Sequence, residues 1–172
     1  MKTIPLTRGQ VALVDDDDYP WLARFSWHAV PTNPGEKFVP MKAFHSRTAS
    51  GKKIQIRVQM ATFIMGTRSG YVAEHADRDP LNCQKSNLRW ATHAQNSINW
   101  WRNRSLKNGR GVTWCSKDAV FRVHIKVGTR RIWFGRFKSA QEARDAYDAA
   151  AVKHHGKFAM LNRDHWKPSE KG

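Results

Sequence analysis

Apolar and polar residues alternate along several short stretches of this chain, the pattern expected of β-strands. Ile54, Ile56 and Val58 alternate with polar side chains, which predicts a half-buried strand with a basic outer face. Two further stretches, 71–77 and 88–92, predict strands on either side of a turn-rich loop. We therefore expect the N-terminal part to be rich in short strands.

The spacing changes to that of a helix after the second of these strands. Thr92 followed three positions later by Gln95 is a capping box, and Ile98 and Trp101 continue an apolar face. The resulting order is strand, loop, strand, helix. This order predicts that the end of the first strand approaches the first helical turn.

The C-terminal part shows the same alternation. Residues 119–127 and 130–137 alternate apolar and mainly basic side chains on either side of a hairpin turn. A second capping box, from Ser139 to Glu142, begins a helix with an apolar stripe. With a short strand at 111–115, this predicts a three-stranded antiparallel sheet packed on one helix. The whole chain is thus expected to be α+β.

Composition and charge narrow the possible partners. The 172 residues contain 30 Lys and Arg against 14 Asp and Glu, and a net charge of +16 favours nucleic acid or an anionic membrane surface as partner. No apolar run has the roughly 18 residues of a membrane span, and the start lacks a signal peptide. We therefore expect a soluble intracellular protein that has no membrane partner. With 40% hydrophobic residues, disorder is not expected.

The charge is uneven along the chain. The first 99 residues contain 13 basic and 8 acidic side chains, whereas the rest contain 17 and 6. A polar, basic stretch predicts a linker at 104–110 that separates a domain at 1–103 from a second at 111–165. We expect the linker itself to lie along phosphates, since phosphate contacts dominate DNA affinity.

Two clusters raise the question of metal binding. The run of four aspartates at 15–18 precedes a short helical pattern, and we interpret it as a helix cap rather than an ion site, because adjacent carboxylates do not all converge on one cation. Cys83 and Cys115 lie far apart, so neither a disulfide framework nor a cysteine zinc cage is expected.

The strongest candidate site comes from the strand–loop–strand–helix region. It places Glu74, His75 and Asn96 around one point if the first strand ends there. Carboxylate and amide oxygens suit a hard cation such as Mg²⁺, and an imidazole titrates near neutrality. This combination predicts a base beside a metal site.

At these residues the sequence resembles a known family. Glu-His-x-Asp-x-Asp-Pro-Leu-Asn, Asn-Leu-Arg-Trp-Ala-Thr and Gln-Asn-Ser-x-Asn resemble the HNH motif of phage homing endonucleases. The resemblance implies a ββα-metal core at about 71–103, with His75 as general base, Asn87 steadying the loop, and position 74 and Asn96 as ligands of one Mg²⁺ or Mn²⁺. It also implies DNA hydrolysis to a 5′-phosphate and a 3′-hydroxyl.

The sequence departs from the family pattern in two respects. The family usually has Asp where this chain has Glu74, which carries the same charge on a longer stem. The cysteine pairs that hold structural zinc in some members are absent, so we expect no structural zinc and a loop held by hydrogen bonds around Asn82 and Asn87. Asp77 either orients the site or only begins the turn that follows it.

The segment from Arg110 to Asn162 contains, in order, Arg-Gly-Val, Phe-x-Val-x-Ile, Arg-Ile-Trp-Phe-Gly-x-Phe and Glu-Ala-x-x-Ala-Tyr-Asp-x-Ala-Ala. With these motifs it resembles the DNA-binding domain of plant APETALA and ethylene-response factors. That domain applies its sheet to the major groove, although Thr113 stands where plant members have Arg, so their target is not carried over. The residues predicted to contact DNA, in the linker and on the sheet, are Arg102, Arg104, Lys107, Arg110, Arg122, His124, Lys126, Arg130, Arg131 and Trp133.

These features together predict a phage-encoded, site-specific DNA endonuclease of the homing type that acts inside a bacterial host. Its partner is expected to be double-stranded DNA, and one active site per chain points to a monomer that nicks, with dimerisation left open. The first alternative is a DNA-binding regulator whose HNH domain is disabled, which the Glu74 departure suggests. Binding of structured RNA is a more distant third.

Overall fold

The computed structural model describes residues 1–33, 37–99 and 106–165, and the chain divides into two compact units, Met1–His93 and Ala94–Gly172. The protein is α+β, with several small antiparallel sheets and few helices. The described strands and helices, in chain order, are β1 Lys2–Pro5, β2 Val11–Val14, α1 Tyr19–Leu22, β3 His28–Asn33, β4 Lys37–Arg47, β5 Lys53–Gln59, α2 Met60–Met65, β6 Tyr71–His75, β7 Leu88–Thr92, α3 His93–Asn99, β8 Val112–Cys115, β9 Val120–Val127, β10 Arg130–Phe137, α4 Ala140–His155 and α5 Asn162–His165. None of these described helices is long and apolar enough to cross a membrane.

The first unit is built from three small antiparallel sheets. These are the β1–β2 pair, the sheet in the order β3–β4–β5, and the β6–β7 hairpin. The aromatic rings of Trp21, Phe25 and Phe63 pack against one another and against the buried ring of Trp27. The buried core residues are Ile4, Leu6, Ala12, Val14, Leu22, Trp27, Ala29, Met60 and Cys83. Residues from strands, helices and one loop therefore share a single apolar cluster.

The aspartate run does not cap α1, which corrects the sequence interpretation. Asp18 occupies the N-cap position but makes no side-chain capping hydrogen bond. Its Oδ1 instead accepts from Lys85 Nζ at 2.7 Å and from Trp21 Nε1 at 3.3 Å, and Asp15 Oδ2 accepts from the Lys85 backbone N–H at 2.8 Å. The run therefore binds the loop that joins β6 to β7, almost seventy residues away in sequence.

The second unit contains a three-stranded antiparallel sheet in the order β10–β9–β8, with α4 packed on one face. Val123 and Ile125 are buried on that face. Ser139 begins α4 as predicted, because its Oγ accepts a hydrogen bond from the Glu142 N–H at 3.1 Å. The alternation within β9 thus reflects burial against a helix on one side only.

A register shift in β10 changes which residues face away from α4. Pairing with β9 shifts between Trp133 and Gly135, so that Arg136 lies opposite Arg122. Strict alternation from Trp133 would have placed Arg136 toward the helix. The β-bulge therefore adds one arginine to the outer face of the sheet.

Buried Asn162 joins the segment that precedes β8 to α4. Asn162 Oδ1 accepts from the Arg110 N–H at 2.6 Å, and Asn162 N–H donates to Asp148 Oδ1 at 2.6 Å. Gly111 lies next to this junction at φ +72°, where an added Cβ would be 2.2 Å from the Tyr147 ring and 2.5 Å from the His124 carbonyl oxygen. Only glycine fits this approach of the chain to α4 and β9.

We expect Gly111→Ala to lower the free energy of unfolding by about 3 kcal/mol, from overpacking and the left-handed backbone together. Gly128→Ala is the matched control, since Gly128 has φ +61° but no atom within 4 Å of the added Cβ. That control is expected to cost about 1 kcal/mol. Urea unfolding of both variants measures the difference, and equal losses would contradict the close approach at Gly111.

Candidate active site and nucleic-acid interface

The β6–β7 hairpin positions the predicted catalytic residues of the first unit. Glu74 pairs with Arg89 across the hairpin, and His75 pairs with Leu88. β6 ends at His75, and a turn follows at once, in which the Arg78 N–H donates to the His75 carbonyl at 3.1 Å. Both residues still pair with β7, where neighbouring strand residues face opposite sides of the hairpin, so a shared site for Glu74 and His75 stays a prediction.

Glu74 is buried and paired with a guanidinium. Glu74 is only 5% exposed. Its carboxylate accepts two hydrogen bonds from Arg89, one from Nε to Oε2 at 2.5 Å and one from Nη2 to Oε1 at 3.3 Å. Burying a carboxylate is costly unless a charge partner compensates it. Arg89 supplies this partner and fixes the orientation of the carboxylate.

His75 is half-buried beside a cysteine. Its Nε2 lies 3.8 Å from Cys83 Sγ, and the Cys83 thiol also donates to the Pro80 carbonyl at 3.6 Å. Burial raises the pKa of the Cys83 thiol to about 12, so the thiol stays protonated. Burial lowers the pKa of His75 below its usual value, although the carboxylates of Asp77 and Asp79 act in the opposite direction. Its surroundings therefore favour the neutral form of the imidazole.

Asn87 holds the loop between the two strands. Its amide nitrogen donates to Asp77 Oδ1 at 2.9 Å and to the Asn82 carbonyl at 2.8 Å, and its oxygen accepts from the Asp77 N–H at 3.0 Å. Asp77 in turn accepts from Asn82 Nδ2 and from the Asp79 N–H, each at 2.8 Å. Partial burial opposes the charge on Asp77, but these hydrogen bonds outweigh it and lower its pKa. Side-chain hydrogen bonds thus order this loop, and Asp77 lies at their centre.

The same loop is attached to β2 through the backbone. The Leu13 N–H donates to the Leu81 carbonyl and the Cys83 N–H donates to the Leu13 carbonyl, both at 2.8 Å. Cys83 itself is fully buried in the core of the first unit. β2 therefore fixes the loop that carries Asn87.

Asn96 belongs to the second unit. It is half-buried in α3, whose first residue follows the predicted capping threonine. Its approach to Glu74 and His75 stays a prediction.

The donor types fit a divalent metal that takes few protein ligands. No group of three or more His, Cys, Asp or Glu that could hold a metal occurs within the described residues. The first unit offers the Glu74 carboxylate, whose oxygens keep further lone pairs beside the bonds from Arg89. Mg²⁺ commonly binds through one or two side-chain oxygens and retains several waters. Within the first unit, Glu74 is therefore compatible with a role as one protein ligand of such an ion.

The region that contains these candidate residues matches a known family. Residues 68–98 match the HNH endonuclease family. The match covers 31 residues, from before β6 to the last turn of α3. It therefore includes Glu74, His75, Asn87 and Asn96, and it indicates a nuclease.

The outer face of the C-terminal sheet is basic and partly aromatic. Arg131 and Lys126 are exposed and lie opposite each other, and Trp133 is 46% exposed. The ring of His124 meets Trp133 edge-on at 4.9 Å, and burial, followed by the charges of Arg131 and Arg122, lowers the pKa of His124. This face has the cations and the large ring that the sequence predicts for contact with a duplex.

The other predicted DNA contacts have different surroundings. Arg122 donates to Asp118 at 2.6 Å, and an Arg110 guanidinium nitrogen lies 3.0 Å from Met160 Sδ. Lys107 and Arg130 are exposed. Arg102 and Arg104 lie outside the described residues.

Two residues of these candidate sites, Arg89 and Arg136, were not predicted from the sequence. Arg89 was not identified because its pairing with Glu74 depends on the hairpin register, although the two predicted strands already placed opposite charges on facing segments. Arg136 was missed because the register shift reverses its side, and Gly135 within the strand was the available sign of a bulge.

We expect Arg89→Ala to lower the free energy of unfolding by about 3 kcal/mol, because it removes the guanidinium that compensates a buried carboxylate. Glu74→Gln needs no charge partner, so the double variant should lose less than the sum of the two single losses. Urea unfolding of the four proteins completes this cycle. Strictly additive losses would show that Glu74 and Arg89 are not coupled.

Proposed function

We propose that this chain is a site-specific DNA endonuclease of the homing type. The observation that carries the proposal is that the HNH match at 68–98 includes the hairpin bearing Glu74, His75 and Asn87. The net charge of +16 supports a polyanionic substrate. Double-stranded DNA is the proposed partner of the full chain, which acts as a monomer.

His75 is the proposed general base that takes a proton from the attacking water. Its lowered pKa supports this role, because only a neutral imidazole accepts a proton. Asn87 is a positioning residue, because its hydrogen bonds order the loop that follows His75.

Glu74 and Asn96 are the residues that would hold one divalent ion, Mg²⁺ or Mn²⁺. When bound, such an ion supplies positive charge to the scissile phosphate and the leaving oxygen. Arg89 orients the Glu74 carboxylate for this purpose. The proposed products are a 5′-phosphate and a 3′-hydroxyl.

The C-terminal sheet is the proposed selector of the target. Arg131 and Trp133 are both exposed on its outer face. Arginine bonds two acceptors of guanine in the major groove, and an aromatic ring packs on sugars or thymine methyl groups. Arg136 extends this surface along the same face.

A regulator with a disabled HNH domain is the second candidate. Glu74 replaces the usual Asp, and both of its oxygens are engaged by Arg89. A carboxylate held in this way has less freedom to meet a metal. The regulator would bind DNA through the same sheet and leave it intact.

A plasmid assay separates the two candidates. We expect wild type with Mg²⁺ to convert supercoiled plasmid to nicked or linear product, and EDTA or His75→Ala to abolish this conversion. His28→Ala, which removes an exposed imidazole from β3, serves as the matched control and should leave the conversion unchanged. Intact plasmid with both Mg²⁺ and Mn²⁺, together with retained DNA binding, would favour the regulator.

Arg131→Ala is expected to weaken binding to a preferred duplex by about 1 to 3 kcal/mol. The duplex is obtained by selection from a random pool, with His75→Ala as background so that the DNA stays intact. Lys153→Ala removes the same charge from an exposed position on α4 and serves as the matched control. An unchanged DNA-binding isotherm for Arg131→Ala would contradict the proposal that the sheet selects the target.

A further inference from the structure

The first unit carries a two-stranded ribbon that extends past its own sheet. β3 pairs with β4 only as far as Met41, whereas β4 and β5 remain paired from Met41 to Arg47. Residues 42–47 and 53–58 therefore form a ribbon that projects beyond β3, closed by a turn at 48–52.

The two faces of the ribbon differ in chemistry. Opposed residues of an antiparallel pair lie on the same face. One face contains Phe44, which packs on Phe25 and Phe63. The opposite face, called here the basic face, consists of the exposed residues His45, Arg47, Lys53, Gln55 and Arg57.

The charge of the first unit is concentrated here. The 16 residues from 42 to 57 contain five Lys and Arg and no Asp or Glu. The rest of the first 99 residues contains eight basic and eight acidic side chains, so the ribbon accounts for the whole net charge of +5 in this part. Within the described residues no ion pair involves Arg47, Lys53 or Arg57.

The basic face is ordered before any ligand binds. Gln55 Nε2 lies 3.0 Å from His45 Nε2, and Gln55 Oε1 accepts from Arg57 Nε at 3.2 Å. At the tip, an Arg47 guanidinium nitrogen donates to the Gly51 carbonyl at 3.0 Å. Side chains that are already positioned lose less entropy when they contact a partner.

We propose that this ribbon is a second DNA-contacting element, which places its basic face in the major groove of the duplex that is cut. The inference rests on the proposed function. A B-form major groove about 12 Å wide admits a two-stranded ribbon, whereas the narrow major groove of duplex RNA does not. Arg47, Lys53 and Arg57 would contact phosphates at the groove edge, with Gln55 and His45 toward the bases.

The ribbon is attached firmly to the cutting hairpin. α2 packs against β4, β5 and β6, and β6 carries Glu74 and His75. A contact made by the ribbon therefore determines where the hairpin stands on the same duplex. This makes the ribbon a specificity element of the first unit, separate from the C-terminal sheet.

The test measures how the affinity depends on salt. The full chain with His75→Ala is titrated against a 30-bp duplex DNA (about three helical turns) of random sequence over a series of NaCl concentrations. Arg47→Gln/Lys53→Gln/Arg57→Gln is expected to reduce the slope of log K against log[NaCl] by about 2 to 3, because each phosphate contact contributes about 0.9. Lys2→Gln/Arg24→Gln/Arg68→Gln removes three charges from other exposed positions of the first unit and should leave the slope unchanged.

Thermal melts verify that both triple variants fold, and Lys53→Gln alone, with an expected slope change of about 1, provides the same test if the triple variant does not fold. Equal slopes for the two triple variants would overturn the ribbon proposal and leave the proposed nuclease standing. An equal effect with duplex RNA would overturn its placement in the major groove. Failure of the parent chain to bind DNA at all would overturn the proposed function itself.

Discussion

His75 and Asn87 keep a defined geometry because the loop between β6 and β7 is bound to β2. Two backbone hydrogen bonds join this loop to Leu13, and Cys83 enters the core of the first unit beside them. Asp15 and Asp18 also bind Lys85 of the same loop. Ordering an irregular loop costs conformational entropy. These contacts offset that cost in a protein whose loop is expected to lack structural zinc.

Acidic and basic side chains have different roles within each unit. Acidic residues are used where they organise the fold, as with Asp77 in the loop, Asp148 within α4, and Glu74 paired with Arg89. Basic residues are left exposed on the ribbon and on the outer face of the C-terminal sheet. Part of the excess positive charge therefore lies on these two strand surfaces, and a polyanion that meets both would be held by separate elements.

The periodic elements were predicted well because their signals are local. The second strand of the hairpin spans the predicted residues 88–92, and Ser139 begins α4 through the predicted cap. The aspartate run was assigned wrongly because its partner, Lys85, is distant in the chain. Arg136 changed sides through one extra residue in β10, and a single-residue shift moves every later side chain to the other face.

By itself the sequence determined which chemistry is present: the order strand, loop, strand, helix, the imidazole and carboxylate at the end of the first strand, and the surplus of cations. Tertiary structure alone decided how these groups are paired: Glu74 with Arg89, Cys83 with His75, and His45 and Arg47 of β4 beside the basic outer face of β5. The physical reason is that periodicity depends on neighbours within a few residues, whereas pairing depends on strand register and on segments that meet only when the chain has folded.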